Sequence, residues 1–555
     1  MMSLIGPRTA RLALALACCS PCVTNAAAQN EGHDNHKVDS AATHFGAVSF
    51  ANSGAPAAQA PFLRGLALLH NFQYPDAAAA FRDAQTRDPS FAMAYWGEAM
   101  TYNHGIWREQ DSVAARATLA RLGATPAERL AKAPTQREKD YIRTVEILYA
   151  GSGMKPGRDS AYAAEAARLA SRYPTDVDAQ LFHSLALLSL FPRTDSTYVR
   201  AAAIAETVMR QHPQHPGALH YVIHAYDDPA HAGQGLAAAR AYSKVAPDAP
   251  HAQHMTSHIF VALGMWDDVV AANETAIKTV EKANGATAAA SAACGHAGLW
   301  LHYAYLQEGR LADARRMSAA CRGRSEKSTS AAAGYAEMRL QYIVDVAQPE
   351  PDLAAVADVS RLPGFVEFTQ NFGTAYDGLR RGDTLTTPNI LVRMHDLRAA
   401  LSTGAMAAAM PEMVGDADVV EQELRALALR QRGDTTAAIA LLRKAAAQED
   451  ALPFEFGPPE IEKPSHELLG EVLLAAGQAR EARRELESAL KRTPGRSLTL
   501  LDLARACRAA GDSAAATAAY KQLATNWSHA DSAIAGLREA RAASAARDSR
   551  RAPKH

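Results

Sequence analysis

Two short stretches hold the residues best suited to chemistry. Residues 216–224 read P-G-A-L-H-Y-V-I-H and residues 250–258 read P-H-A-Q-H-M-T-S-H, so both are P-x3-H-x3-H. His220 precedes His254 by 34 residues, and His224 precedes His258 by the same 34. On a helix, histidines four apart share one face with Cβ atoms about 6 Å apart, close enough to chelate one ion. Helices packed about 8–10 Å apart bring both pairs to a common centre. Asp227 and Asp228 follow His224 by three and four residues and can add a carboxylate on the same side. Imidazole with carboxylate suits a transition metal: zinc, iron, copper or nickel. A polar ligand groove without metal and purely structural histidines, copied by repeat duplication, are the two competing readings. A single H-x3-H is a weak signal; two at equivalent positions are stronger.

No other motif names a reaction. The chain has no G-x-x-x-x-G-K-[ST], no G-x-S-x-G and no H-E-x-x-H. Whether it is an enzyme stays open. The 555 residues carry 58 basic and 59 acidic side chains, with 6% aromatics and abundant alanine. Such a balance leaves no electrostatic footprint for nucleic acid. No run after the leader approaches the ~18 apolar residues of a membrane span.

The elements that must position the histidines are helical. Ala77-x3-Phe81-x2-Ala84-x4-Pro89 and Leu469-Gly470-x2-Leu473, Gly477, Ala482-x3-Leu486-x2-Ala489, Pro494 show one pattern. Small residues let paired helices approach, large ones fill the gap, and proline stops the second helix. A period of 34 resembles the tetratricopeptide (TPR) repeat, a helix–turn–helix unit that stacks into a solenoid. Repeat starts fall at 58, 92, 182, 216, 250, 295, 419, 463 and 497. The chain also resembles a family of exported bacterial TPR proteins of uncharacterised activity. That resemblance rests on Leu68-Leu69-His70-Asn71-Phe72, Ala92-Met93-Ala94-Tyr95-Trp96-Gly97, His220-Tyr221-Val222-Ile223-His224, His254-Met255-Thr256-Ser257-His258 and Lys463-Pro464-Ser465-His466-Glu467-Leu468-Leu469-Gly470. It implies an all-α, right-handed TPR-type solenoid and export, and no reaction.

The expected organisation is a signal peptide over 1–28, a flexible linker over 29–60, and an N-terminal repeat block with a histidine-rich groove over 61–321. A divergent helical spacer follows over 322–418, then C-terminal repeats over 419–527, then a short helix and basic tail over 528–555. Arg8 and Arg11 before the apolar run Leu12–Ala17, with Ala26-Ala27-Ala28 as cleavage site, read as an export leader to the periplasm or medium. Lipid anchoring at Cys18 or Cys19 is the lesser alternative.

Eleven of the 20 histidines lie between His183 and His302. The TPR resemblance implies that certain positions of each first helix face a concave groove. In this register His183, His251 and His296, the four motif histidines, Asp227, Asp228, Tyr303 and Trp96 all face it. His70 and His104, 34 apart, read as packing residues that could extend the groove. The expected function is therefore a scaffold whose groove recognises a protein, a peptide or a small ligand. The alternative is a metal-dependent enzyme or metal-handling protein using His220, His224, His254 and His258. Without the leader, three cysteines remain, and an exported protein permits a Cys294–Cys321 bridge with Cys507 unpaired.

Overall fold

Each histidine motif opens its helix on a proline, where the absent N–H costs nothing and φ is already helical. The resulting helices, Pro216–Ala225 and Pro250–Ala262, are buried at every residue but Pro250. Each is followed by a partner, Ala232–Val245 and Trp266–Ala292. The computed structural model describes residues 44–150, 154–346, 364–383, 387–403, 411–454 and 456–543. The chain is all-α and TPR-type: helix hairpins follow one another from Pro56–His70 with Tyr74–Arg87 to Ser497–Ala509 with Ser513–Asn526. Among the described residues no helix is long and apolar enough to cross a membrane. The expected leader, at 1–28, lies outside the described residues.

Where the 34-residue register holds, helices begin within two residues of the expected starts. It fails at 182 and 419. The first helix there is Val177–Leu188, because Asp176 accepts the Ala179 N–H and caps it five residues early. The second is Pro411–Gln431. Residues 322–418, expected as a spacer, contribute Thr329–Asp345, Gly364–Arg381 and Thr387–Leu401, each packed on its predecessor.

Residues 44–60 are not a flexible linker. The Phe50 ring is buried against Phe62, Trp96 and Tyr141, and Ala47 N donates to the Gln214 carbonyl at 2.9 Å. Two phenylalanines, Phe45 and Phe50, in a polar, alanine-rich stretch gave too little periodic signal to reveal this docking. At the other end, Trp527, Leu537 and Ala540 are buried, so residues up to 540 belong to the last core.

The C-terminal repeats return onto the middle of the chain. Ser497 N donates to Gln307 Oε1 at 2.9 Å and its hydroxyl to the Gln307 carbonyl at 2.6 Å. Trp266 Nε1 donates to the Gly495 carbonyl at 3.0 Å, so Trp266 is an inter-helix packing residue. Asp531 N donates to the Gly309 carbonyl at 3.0 Å. The histidine-bearing helices are thus covered by the far end of the sequence.

Cys294 and Cys321 are disulfide-bonded with Cα atoms 5.5 Å apart, and Cys507 is a buried free thiol. The bridge ties the start of His296–Gln307 to the end of Leu311–Ser325, a separation of 27 residues. Closing such a loop stabilises by about 2–4 kcal/mol through the unfolded chain. Cys294→Ser with Cys321→Ser is expected to lower the urea midpoint by a corresponding amount. Thiol titration of denatured, non-reduced protein lacking the leader should find a single free thiol; three would refute the bridge.

Candidate metal centre

The first triad forms around His220. Its Nδ1–H donates to the His70 carbonyl at 2.7 Å, which leaves Nε2 as a bare lone pair. His251 Nε2 lies 3.2 Å from that nitrogen. His224 joins them, its buried Nε2 without any protein partner. One nitrogen from each of His220, His224 and His251 falls within 4.8 Å of the others.

The second triad is His254, His258 and His296, again within 4.8 Å. Here the tautomers are fixed from outside. Asn273 Nδ2 donates to the Val269 carbonyl, so its Oδ1 is the acceptor that meets His254 Nδ1 at 2.6 Å. Asp227 Oδ2 accepts from His258 Nδ1 at 2.5 Å. Both rings therefore carry their proton on Nδ1, and their bare Nε2 atoms stand 3.2 Å apart. Two lone pairs cannot hydrogen-bond to each other. Two nitrogens about 2.0–2.1 Å from one tetrahedral zinc are separated by about 3.3 Å. Outer partners of this kind, a carboxylate, an amide oxygen and a backbone carbonyl, orient metal-bound imidazoles.

Burial favours the neutral, ligating form of His220, His224, His251, His254 and His296. Burial pushes His220 down to about 3, with the His70 carbonyl pulling the other way. Burial and the neighbouring His258 push His296 to about 3 as well. His224, His251 and His254 also lie well below the ordinary histidine range, chiefly through burial.

The triads adjoin. Ring centroids of His251 and His254 are 6.2 Å apart, and those of His224 and His258 are 5.9 Å apart. Aromatic rings close the chamber. Phe72 stands 4.3 Å from His220, Trp300 stands 4.2 Å from His258, and Phe456 stands 5.5 Å from His258 by centroid. Phe72 adopts φ 56°, left-handed, where the Pro56–His70 helix ends with Gln73 N donating to the Leu68 carbonyl at 3.0 Å. Phe456 comes from the loop before Ser465–Ala475. Gly457 beside it has φ 110°, and a Cβ there would fall 2.5 Å from the Trp300 ring. Only glycine lets this loop lie on the chamber.

Several residues expected at the groove stand elsewhere. His183 moved with the Val177–Leu188 register; it is half-buried and belongs to neither triad. Asp228 accepts from the Ala230 and His231 N–H groups and from His231 Nδ1, ending the helix as a turn residue. Asp227 faces the chamber as a second-layer acceptor. Trp96 is 1% exposed, edge-on to Tyr141 and Phe182, with Nε1 donating to Thr144 Oγ1: a core residue, not a stacking platform. Tyr303 is buried, its hydroxyl accepting from Arg496 Nη1 at 3.1 Å. His466 bridges Glu485 and Asp450 between helices.

His70 has a larger part than its spacing suggested. Its Nε2–H donates to Asp178 Oδ1 at 2.9 Å, and Nδ1 accepts from the Tyr221 hydroxyl at 2.9 Å. Both nitrogens are used, so His70 steadies the first triad through its carbonyl. A Cβ at Gly217 would fall 2.4 Å from His70 Nδ1, which is why the 216–225 helix carries glycine at its second position. Asn273, Phe72, Trp300 and Phe456 were missed. Asn273 lies on the second helix of its hairpin, and Phe456 is some two hundred residues from its contacts.

No protein-family model and no curated sequence matches the chain. Solved structures that resemble it include the P58(IPK) TPR domain, at 13% identity and TM-score 0.21, over 82% of this chain and 99% of that one. Yeast Tom70 aligns at 13% identity and TM-score 0.28, over 89% and 96%. Human IFIT1, solved as a dimer with m7Gppp-AAAA, aligns at 13% identity and TM-score 0.35, over 86% and 90%. None of these bears on the histidine chamber.

Proposed function

We propose that this chain is a TPR-type protein that holds late first-row transition-metal ions in an enclosed chamber of six imidazoles. The contact between His254 and His258 supports it most directly. Two Nε2 lone pairs at 3.2 Å need a cation or a proton between them, and further imidazoles converge on the same space. Six imidazole nitrogens, with no thiolate or carboxylate among the converging atoms, suit copper and zinc, and the Irving–Williams order places copper first. Such an ion would act as a Lewis acid or an electron-transfer centre there. The His220–His70 carbonyl, His258–Asp227 and His254–Asn273 contacts would hold its ligands in place.

The test is reconstitution. Metal-free protein titrated with Cu(II) or Zn(II) is expected to take up about two ions per chain, one for each triad, and elemental analysis after gel filtration should keep them. Retention of none at pH 7 would end the reading in favour of a shared proton.

A partner-binding role follows from the fold more than from the site. Stacked helix hairpins build extended surfaces suited to proteins and peptides. The histidine face is covered by Phe456 and Trp300, so a protein or peptide would dock on other faces. Export belongs to the same proposal: the disulfide suits an oxidising compartment, and the basic-then-apolar start of the sequence suits a leader. Terminal sequencing of the protein recovered from the medium or periplasm checks it, with a first residue near Gln29 expected.

A further inference from the structure

The two triads open onto each other. Within a triad, ring centroids of His254 and His296 lie 4.6 Å apart, those of His220 and His224 4.8 Å, and those of His258 and His296 6.2 Å. Between triads, His224 and His258 stand 5.9 Å apart, and His251 and His254 6.2 Å apart. Rings assigned to different ions are thus as close as rings assigned to one ion. At such separations aromatic rings touch, so no side chain stands between the two sets at these crossings.

Three imidazoles fill three of the four positions that a tetrahedral ion takes, leaving one for an outside ligand. Neighbouring ions can share that ligand. The charge balance asks for it as well. Metal-bound imidazoles are neutral, and among the described residues Asp227 is the only carboxylate hydrogen-bonded to any of the six rings. Two dications against one carboxylate leave a buried positive excess, which an anion bridging both ions would offset. The bridge must also be small. The six histidines are between 0% and 9% exposed, and Phe72, Trp300 and Phe456 close the space around them. His296 lines a cavity of about 330 Å³, which gives the second triad an approach from outside the rings.

We infer that the chamber holds copper as a coupled pair and binds dioxygen between the two ions. The inference rests on the metal reading above and adds the ligand. Each of two Cu(I) ions gives one electron, and dioxygen takes both. It becomes a peroxide bridging two Cu(II) ions, with the O–O bond kept as a single bond and no proton moved. Release returns both electrons. Dioxygen is small and apolar enough to pass aromatic walls, and the peroxide it becomes supplies the missing anion.

The test loads metal-free full-length protein anaerobically with two equivalents of Cu(I), added as its acetonitrile complex, and then admits dioxygen. One dioxygen is expected per two copper ions. The Cu(II) paramagnetic resonance signal should account for under about a tenth of the bound copper, because the bridge pairs the two spins. X-ray absorption of the oxygenated protein should show copper–copper scattering at about 3.5–4 Å, the spacing of two-metal sites. His254→Ala, read on protein that still melts cooperatively, should cut dioxygen uptake at least tenfold and leave its remaining copper fully visible by resonance. The absorption measurement needs no variant, so it decides even where His254→Ala does not fold. Two ions retained with no dioxygen uptake, a full resonance signal and no copper–copper scattering would overturn this inference alone. Loss of copper on reduction would do the same. Failure to retain two copper ions in either oxidation state would overturn the metal reading with it.

Discussion

His254→Ala is expected to reduce the bound metal from about two ions per chain to one. The second triad would keep only His258 and His296, and the first would remain whole. His220→Ala should remove the other ion, and the double variant both. These substitutions also delete buried rings, so metal content must be read on protein that still melts cooperatively. Asp227→Asn is the finer probe, since it keeps the volume and loses only the carboxylate behind His258. Weakening such an outer partner costs about 10–100-fold in metal affinity. Competition against a chromophoric chelator gives that ratio directly. Metal at about 100 times its Kd should stabilise the wild-type fold by about 2.7 kcal/mol, and the gain should shrink in each variant. Two ions retained in His254→Ala would show that the metal is held elsewhere.

The chemistry was legible because it is written twice, at one register, on two short helices. His220, His224, His254 and His258 needed only the 34-residue spacing and the four-residue helical step to be placed together. His251 and His296 followed from the same register. What the register could not convey is which face is open. A repeat motif describes one hairpin against its neighbours, whereas Phe456 and Arg496 reach the histidine block by return of the chain from a later one. Tyr303 was expected at the groove and is enclosed by Arg496 in this way, whereas Trp96, expected there too, is enclosed by Phe50, Tyr141 and Phe182 of its own block. His183 failed differently. Its helix starts where Asp176 can cap it, and a cap five residues upstream turns the whole face. Asp227 and Asp228 show the limit of counting along a chain. After Ala225 the helix ends, so one aspartate faces His258 and its neighbour faces the turn.

Removing the guanidinium of Arg496 should be the most destabilising single change outside the chamber. Arg496 is fully buried, between the C-terminal repeats and the histidine-bearing hairpins. Nε donates to Glu467 Oε2 at 2.8 Å, Nη1 to the Tyr303 hydroxyl at 3.1 Å and Nη2 to the Glu462 carbonyl at 3.0 Å, with Asp345 2.5 Å from Nη2. Lys463 Nζ reaches the same Glu467 at 2.5 Å. Arg496→Ala leaves two buried carboxylates with their main cation gone, a loss of about 3–5 kcal/mol. Arg496→Lys should recover little, because one ammonium cannot match a planar fork serving four acceptors. The effect should include opening of the chamber, read as faster hydrogen exchange in the Pro250–Ala262 helix. Glu467→Gln isolates the charge. Burial alone would raise this carboxyl, but Arg496 and Lys463 outweigh it and hold Glu467 at about 2, below its ordinary 4.5. A depressed carboxylate contributes stability above its unfolded pKa and loses it as pH falls through the folded one. The stability gap between wild type and Glu467→Gln should therefore be full above about pH 4.5 and close as pH falls toward about 2. Urea midpoints measured for both proteins across that range decide it, and a gap that stays constant with pH would show that Glu467 acts by its shape and not its charge.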